Sequence, residues 1–342
     1  MFAREAPVGN VAWIPSTLKP CIGQRTVLIR PIPGVVDGRY LSYLLLGDEC
    51  QNRMHALSGG ATVSHLNMSD IRRLELPELP KLREQQKIAT ILSTYDDLIE
   101  NNLRRIKILE EMAQNLYREW FVKFRFPGHE QVPMVDSPLG KIPEGWEVNR
   151  LGSIAEEVRR GIPKGELHEM TPYVGLEHIP RKSLALDAWE EVTELGSNKL
   201  IFEPGEILFG KIRAYIHKVS VAPFRGICSA DTIVIRSISE EDSALVIACV
   251  SSEEFVAHAT ATSNGAKMPR ANWKVLIEYP VLRPTTDLLK KFSRFYDDVI
   301  IQQQNLVQKN VVLRQTRDIL LPKLISGELD VLELDIDIGE AA

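Results

Sequence analysis

The sequence predicts an α+β protein in which two mixed α/β modules alternate with two long helices that pair as a coiled coil. Three observations support this class: apolar residues recur at spacings of three and four over two long stretches, the chain contains an ordered internal repeat, and turn-rich runs separate its parts. Such spacing is typical of a coiled-coil seam. Because each helix would be roughly 50 to 65 Å long, more than one globular core covers, we expect the two to pack on each other.

Each long stretch carries its own seam of predicted packing residues. The seam residues are Leu92, Tyr95, Ile99, Asn102, Ile106, Leu109 and Leu116 in the first helix, and Phe292, Tyr296, Val299, Gln303, Leu306, Leu313 and Leu320 in the second. Arg317 interrupts the second seam. Asn102 and Gln303 correspond in the repeat, and a polar residue at a buried seam lowers stability but fixes register and partner choice. Two alternatives stay open: each stripe belongs to a long core helix, or the two polar residues face solvent.

The internal repeat preserves its order along the whole chain. Its matched positions are Phe2 and Phe209, Cys21 and Cys228, Ser58 and Ser263, Gly60 and Gly265, Ala61 and Ala266, Asn67 and Asn272, Tyr95-Asp96-Asp97 and Tyr296-Asp297-Asp298, Leu109 and Leu313, and Leu116 and Leu320. A globular module followed by a long helix is therefore written twice. Residues 137–208 have no counterpart in the first copy, so we expect the first module to be incomplete at its front or to be completed by another chain.

The repeat and the breakers divide the chain into five parts. In order, these are a partial first module (1–81), a first long helix (82–126), a second module (127–286), a second long helix (287–327) and an acidic tail (328–342). We expect Pro322 to kink or end the second long helix just before Lys323, and Gly327 to close it. The tail is expected to be solvated and partly disordered.

Each module mixes short strands with helices. In the first module we expect strands at residues 11–14 and 26–29 and a helix over residues 40–57. In the second module the expected strands are residues 173–176, 206–211, 218–221 and 232–236, and an acidic start at Glu240 opens a helix to about His258.

Composition excludes several classes of protein. The chain has 342 residues, of which 44% are hydrophobic and 25% charged, which is typical of a folded protein with two or three domains. Its longest apolar run, residues 41–46, is too short to span a bilayer, and the first residues lack a targeting signal, so we expect a cytoplasmic protein without a membrane partner. The four cysteines, Cys21, Cys50, Cys228 and Cys249, are widely spaced, so we expect small core residues and neither a zinc site nor disulfides.

The parts of a catalytic site do not appear in the sequence. It contains neither the GxxxxGK[ST] phosphate loop nor the GxGxxG fingerprint, and His168-Glu169 is not a metalloprotease motif because Pro172 stands where the second histidine belongs. The acidic pairs Asp96-Asp97 and Asp297-Asp298 lie on the long helices and are expected to be solvated. We therefore expect a chain that is not an enzyme by itself and holds no metal or cofactor.

Nucleic-acid binding has its first local support in residues 209–218, here called cluster 1. Cationic residues alternate there with apolar or aromatic ones, so Lys211, Arg213 and either His217 or Lys218 could share one face. Phosphate contacts need such cations, and base edges in the major groove need forked or amide donors such as Arg and Asn. Because the net charge of −5 gives no global attraction to nucleic acid, binding would depend on such a local surface.

Two further basic segments lie in the second module. Cluster 2, residues 263–272, is a glycine-bearing loop with Lys267, Arg270 and Asn272, inside a stretch, residues 257–277, that contains no acid. A glycine lets the backbone approach a phosphate closely. Cluster 3, Arg159 and Arg160, is weaker. For any one cluster, an ordinary solvated surface is the alternative.

Short motifs in a fixed order connect most of the chain, from Phe2 to Leu329. They are Ala6-Pro7-Val8-Gly9-Asn10-Val11, Cys21-Ile22-Gly23-Gln24-Arg25, Leu82-Arg83-Glu84-Gln85-Gln86-Lys87-Ile88-Ala89, Pro143-Glu144-Gly145-Trp146, Gly210-Lys211-Ile212-Arg213, Lys267-Met268-Pro269-Arg270 and Leu320-Leu321-Pro322-Lys323-Leu324-Ile325-Ser326-Gly327-Glu328-Leu329. With these motifs the sequence resembles the DNA-specificity subunit of Type I restriction-modification enzymes. Each motif is modest, but their joint order is specific.

The resemblance implies a non-catalytic subunit that binds double-stranded DNA. Two target-recognition domains, held apart by an antiparallel pair of conserved helices, would each read half of a split site. The helices would dock methyltransferase (modification) subunits, and an ATP-dependent restriction subunit would join to cut DNA, so S-adenosylmethionine, ATP and Mg are expected on those partners. Besides the three clusters, the candidate DNA contacts are Lys164, Arg4 and Asn10.

Three other readings stay open at this stage. The missing front of the first module allows a truncated or inactive specificity subunit. A coiled-coil scaffold whose modules bind protein and not DNA would have the same pair of long helices. The chain could also be the specificity part of a larger fused nuclease-methyltransferase.

Overall fold

The structure, a computed structural model, describes residues 1–5, 7–59 and 64–338. They fall into two compact units: unit 1 consists of Met1–Asn101 and the segment that begins at Asn310, and unit 2 is Asn102–Lys309. The predicted motif residue Ala6, the repeat positions Gly60 and Ala61, and the last four residues of the predicted tail lie outside the described residues.

Unit 1 combines one short ladder with helices. Its elements are β1 (Phe2–Ala3), β2 (Thr26–Val27), α1 (Gly38–Leu46), α2 (Asp48–Leu57), α3 (Met68–Arg72) and the first part of the long helix α4 (Leu82–Tyr117). The strands β1 and β2 are antiparallel. Phe2, Tyr40, Leu44, Met54 and Leu92 fill a core in which each side chain is at most 2% exposed.

The elements predicted for the first module are only partly correct. No strand forms over residues 11–14, where Val11 makes an isolated bridge to Phe2, and the strand predicted at residues 26–29 is reduced to β2. The helix predicted over residues 40–57 is broken at Gly47, whose extended backbone (φ −66°, ψ 148°) ends α1. Asp48 and Glu49 then stabilise the first turn of α2, where the helix dipole favours negative charge.

Unit 2 is built on a mixed five-stranded sheet, an antiparallel four-stranded sheet and the remaining parts of the long helices. After α4 and a π-helical turn, Arg118–Val122, its elements are β3 (Met134–Ser137), β4 (Gly140–Pro143), β5 (Glu147–Arg150), β6 (Ala155–Glu157), β7 (Arg160–Ile162), β8 (Gly165–Val174), β9 (Glu190–Leu195), β10 (Lys199–Phe202), β11 (Ile207–Gly210), β12 (Val219–Val221), β13 (Gly226–Cys228), β14 (Thr232–Ser237), α5 (Ser243–Val250), α6 (Glu253–Ala261), α7 (Trp273–Leu276), β15 (Pro280–Arg283) and α8 (Thr286–Ile325). The sheet orders are β7-β10-β13-β8-β9 and β12-β11-β14-β6, with two-stranded ladders β5/β15 and β3/β4. The α+β class is confirmed.

The four strands predicted for the second module coincide with the end of β8 and with β11, β12 and β14. The helix predicted from Glu240 to His258 is wrong as one element, because α5 and α6 meet at a 67° bend. The Ser252 side chain accepts a hydrogen bond from the Phe255 N–H and so starts a new helix at the bend. Every residue of α5 except Ser243 is buried, which makes it the central helix of this unit.

The two long helices pair antiparallel within each unit. In unit 1, Arg317 of α8 pairs with Asp96 of α4. Lys87, which precedes Asp96 on α4, donates to the carbonyl of Val331, which follows Arg317 in the chain. In unit 2, Ile106 packs with Leu306 and Val307, while Phe121 and Phe292 contact edge to face at 4.8 Å between ring centroids. As the residue number rises along α4, that of its partner falls.

The predicted seam residues lie on the packed side of the helices. Those that are buried are Leu92, Ile99, Asn102, Ile106, Phe292, Tyr296, Val299, Gln303 and Leu306. Those that are half-buried are Tyr95, Leu109, Leu116, Leu313 and Leu320. Asn102 and Gln303 are only 9% and 2% exposed, so neither faces solvent.

Of the two outcomes expected at Pro322, a kink or an end, the end does not occur, since α8 continues to Ile325 and Leu324 is buried in the unit 1 core. Gly327, at φ +75°, follows the end of the helix as expected. Of the acidic pairs, Asp97, Asp297 and Asp298 are exposed as expected, whereas Asp96 is half-buried and accepts hydrogen bonds from Arg317 and from the Tyr43 hydroxyl.

The described part of the tail is largely exposed, as expected, but it is docked at one residue, Val331. Val331 is 1% exposed, and the buried Lys87 ammonium donates to the carbonyls of Val331, Leu332 and Leu334 at 3.1, 2.7 and 2.7 Å. A buried ammonium needs such acceptors, so Lys87 and the tail hold each other in place.

The sequence predicts that the cysteines are core residues and that no segment spans a membrane. Cys50, Cys228 and Cys249 are buried as expected, whereas Cys21 is exposed, so its assignment to a core is wrong. Burial raises the pKa of the Cys228 and Cys249 thiols to about 12. Within the described residues, no single helix has both the length and the apolar character needed to cross a membrane, although the bent α5–α6 region passes on length and composition alone.

Candidate nucleic-acid interface

Clusters 1 and 2, separate in sequence, form one backbone ladder in unit 2. The Arg213 N–H donates to the Pro269 carbonyl at 2.8 Å, and the Ala271 N–H donates to the Lys211 carbonyl at 2.9 Å. Ile212 and Arg270 form an antiparallel bridge between these two bonds. The loop of cluster 2 is therefore fastened to the chain that leaves β11, and Lys211 of cluster 1 and Arg270 of cluster 2 lie on one surface.

That surface borders an open groove of about 410 Å³. Its polar lining comes from all three clusters and includes Arg159, Lys211, Asn264, Arg270, Asn272 and Lys274, beside Trp273 and one acid, Glu157. Below we call it the basic groove. Cations from three separate segments thus converge on one concave face, which is the arrangement that phosphate contacts require.

Asp231 lies beside two of these cations. Its Oδ1 lies 3.7 Å from the Lys211 Nζ and 3.4 Å from the Arg270 Nε, and Lys211 also donates to the Ala230 carbonyl at 2.5 Å. The Arg270 side chain is 50% exposed, and exposed ion pairs contribute little stability. A phosphate entering the groove can therefore replace Asp231 as the partner of Arg270 at small cost.

A second group of exposed side chains projects from the turns beside the groove. Arg213 adopts a left-handed backbone conformation (φ 49°) at the start of a 3-10 turn that leaves Tyr215 55% exposed. Lys267 is exposed, and its neighbour Met268 is 44% exposed. A non-glycine residue with positive φ is strained, and such strain concentrates at functional sites.

His217 and Lys218 of cluster 1 do not belong to this surface. His217 is 7% exposed and its Nε2 lies 2.9 Å from the Ser251 carbonyl; burial lowers its pKa, which favours the neutral ring. Lys218 donates to the Leu176 carbonyl, and burial lowers its pKa as well. Their assignment as DNA contacts is corrected, because both side chains are used inside the module.

Two other predicted contacts have structural partners. Arg160 makes two 2.8 Å hydrogen bonds to the buried carboxylate of Glu206, so its charge is neutralised within the module. The Asn272 Oδ1 accepts from the Lys274 N–H at 3.1 Å and caps α7, although the side chain stays exposed at the groove. Sequence reasoning missed Lys274, which lies inside the acid-free stretch and could have been found there.

The remaining predicted contacts lie elsewhere. Lys164 is exposed between β7 and β8, where its N–H donates to the Asn198 side chain, and it does not line the groove. Arg4 and Asn10 belong to unit 1. Asn10 is exposed, whereas the Arg4 Nε is buried and has no hydrogen-bond partner within the described part of the chain.

Most polar side chains of the groove are hydrogen-bond donors. Among residues 1–5, 7–59 and 64–338, no group of three or more His, Cys, Asp or Glu side chains is placed to hold a metal ion. The polar groups of the groove are guanidinium, ammonium and amide donors. These suit phosphates and base edges.

Comparisons with known proteins agree on one family. The family model "Type I restriction modification DNA specificity domain" matches residues 1–111. The Type I restriction enzyme MjaIX specificity subunit of Methanocaldococcus jannaschii is 30% identical over 98% of this chain and 78% of its own length. The EcoDI specificity subunit of Escherichia coli is 26% identical over 90% of this chain and 73% of its own.

A solved structure shares the fold. The S subunit of a Type-I restriction-modification system from M. genitalium aligns with a TM-score of 0.52 and 17% sequence identity, over 86% of this chain and 74% of that one. At this identity the likeness concerns the fold alone.

Proposed function

We propose a function from one premise: the chain belongs to the family of type I restriction enzyme specificity subunits. The resemblance that its motifs predicted is thereby confirmed. On this premise the chain is the DNA-recognition subunit of a restriction-modification complex, and it does no bond-breaking chemistry itself.

The observation that supports DNA binding most directly is the basic groove. In the groove, Lys211, Arg270 and Lys274 supply cations for phosphates and Asn272 supplies an amide donor, while Arg213, exposed beside the groove, supplies a forked donor for base edges. These side chains come from segments that are far apart in sequence, so their convergence is a property of the fold.

The rest of the assignment follows from the family. We propose that the module in unit 1, with Arg4 and Asn10 as candidate contacts, reads the other half of a bipartite site. Methyltransferase subunits dock on the helix pair and carry S-adenosylmethionine, and an ATP- and Mg-dependent motor subunit completes the complex in the cytoplasm. The isolated chain is expected to transfer no methyl group.

Salt-dependent binding of duplex DNA tests the role of the groove. The log of the affinity falls with the log of the salt concentration by about 0.9 for each phosphate contact, so the double variant K211A/R270A should bind more weakly with a slope about 1.8 units shallower. Lys141→Ala, an exposed lysine on β4 outside the groove lining, is the matched control. The chain is titrated with its methyltransferase partner on genomic duplex fragments.

Two outcomes would contradict the assignment. If K211A/R270A keeps both affinity and slope, the groove is not the interface. If the wild-type complex shows no salt-sensitive binding of any duplex, the scaffold reading is correct and the DNA-recognition function is wrong.

A further inference from the structure

A buried carboxylate on the long helix α4 holds the second module in place. Glu110 is 7% exposed, and its Oε1 accepts hydrogen bonds from the Ser183 hydroxyl at 2.5 Å and from the Leu184 N–H at 2.8 Å. Burial raises the pKa of Glu110, with the nearby charge of Asp187 adding to the effect. A carboxylate so far from water is retained only where donors are fixed in position to receive it.

The segment that Glu110 holds, residues 183–186, is seated on both long helices. Its Ala185 is 8% exposed and packs with Ile106 of α4 and with Leu306 and Val307 of α8. The Ala185 N–H also donates to the Ser183 hydroxyl oxygen at 3.2 Å, which orients that hydroxyl toward Glu110. An apolar contact and a charged hydrogen-bond pair thus fix one short segment on the helix pair.

The same segment is bonded on its other side to the sheet that carries the basic groove. The Val221 N–H donates to the Leu184 carbonyl at 3.0 Å, and the Ser220 hydroxyl donates to the Ser183 carbonyl at 3.1 Å. Both residues lie on β12, which pairs with β11, and β11 leads directly into Lys211 of the groove. A continuous series of hydrogen bonds therefore joins Glu110 on the helix to the groove on the module.

We propose that Glu110 is a positioning residue that fixes the second recognition module at one place on the helix pair and thereby sets the spacing between half-sites that the subunit accepts. This inference rests on the proposed function. The accepted spacing then depends on the hydrogen bonds between the module and α4 as well as on the length of the helices.

Three variants separate positioning from charge. Glu110→Ala leaves the Leu184 N–H and the Ser183 hydroxyl without their acceptor, whereas Glu110→Gln keeps an oxygen at the same place and should rescue. Glu111→Ala is the matched control, because Glu111 is the neighbouring exposed carboxylate, with a loose 3.9 Å ion pair to Lys107. Ser183→Ala removes one donor and serves as a milder second variant.

The readouts are deuterium uptake and spacing preference, both measured on the full chain with its methyltransferase partner. E110A should raise the exchange of residues 181–186. With duplexes whose spacer is native or changed by one base pair, E110A should reduce the preference for the native spacer roughly tenfold, because the two hydrogen bonds to the Glu110 side chain are lost. S183A should fall between E110A and wild type, and E110Q and E111A should match wild type.

The outcomes distinguish this inference from the function on which it rests. If the wild-type complex binds DNA and both E110A and S183A keep its spacing preference, the positioning role is wrong and the function stands. If E110Q loses the preference as fully as E110A, the charge and not the position of the acceptor is responsible, which also overturns the proposal. A wild-type complex that binds no duplex refutes the function and the inference together.

Discussion

The helix pair is packed differently in the two units. In unit 2 its packing is aromatic: the Phe292 ring lies 4.8 to 6.5 Å from the rings of Phe121, Tyr296, Trp120 and Tyr117. In unit 1 the helix pair carries a charged cluster, in which Arg317 binds Asp96 and Asp96 accepts from the Tyr43 hydroxyl. A repeated seam thus supports two kinds of contact, and each module is fastened to the helices by its own chemistry.

The largest effect is expected where the packing is aromatic. Phe292 is fully buried, so Phe292→Ala should lower the free energy of unfolding of unit 2 by about 3 to 5 kcal/mol. Urea unfolding followed by the fluorescence of Trp120 and Trp146 measures it. Ile301→Ala, at a 53% exposed position of the same helix, is the control, and equal losses in the two variants would contradict the aromatic account.

A smaller loss is expected at the charged cluster of unit 1. Arg317→Met leaves Asp96 without its guanidinium partner and should cost about 1 to 2 kcal/mol. Arg39→Met is the control, because the Arg39–Asp97 pair is longer, at 3.4 Å, and more exposed, and should contribute less than about 1 kcal/mol. Thermal unfolding compares them. Equal effects would show that Arg317 is an ordinary surface residue.

The contact between Tyr43 and Asp96 should make the free energy of unfolding depend on pH in the alkaline range. Burial, then the hydrogen bond to Asp96, raises the pKa of Tyr43 far above its usual 10.0, so the folded state keeps a proton that the unfolded state loses. The resulting stability is present below pH 10 and declines as the pH rises above it. Tyr43→Phe should reduce that decline by about 1.4 kcal/mol per pH unit. An unchanged slope between pH 10 and 11 would contradict the proposed contact.

The smallest effect, and of opposite sign, is expected at Gln303. Its Nε2 is buried and has no hydrogen-bond partner within the described residues, so Gln303→Leu should raise the free energy of unfolding by roughly 1 kcal/mol. Because a polar seam residue fixes partner choice, the variant should also form oligomers of more than one size. Size-exclusion chromatography with light scattering detects them. A stability loss without any change in assembly would contradict this role.

Spacing and repeat in the sequence were enough to predict the long helices. Seam residues such as Leu92 and Phe292 recur at three and four positions, and that pattern survives in any tertiary context. Strands β6, β7, β10 and β13 are among those missed, since three or four residues carry little periodicity. The six-residue β9 was missed as well, because three of its residues are glutamates. Strands β11 and β12, as short as the first four, were predicted from their mostly apolar residues.

The candidate site was predicted in its parts but not in its arrangement. Clusters 1 and 2 were identified as basic segments, yet the backbone bonds that join them, from Arg213 to Pro269 and from Ala271 to Lys211, have no local signal. His217 was misassigned because its alternation with Lys211 and Arg213 assumed an extended chain. The turn between them, with left-handed backbones at Arg213 and His217, reverses the direction of the chain and directs the imidazole inward.

We propose that this chain selects DNA for a partner enzyme through two reading modules. Methylated bases are mapped in genomes that contain the methyltransferase partner, with and without this chain. We predict methylation at one two-part sequence that appears only when the chain is present. Methylation that is unchanged by removing the chain, or that marks a single undivided sequence, would contradict the claim.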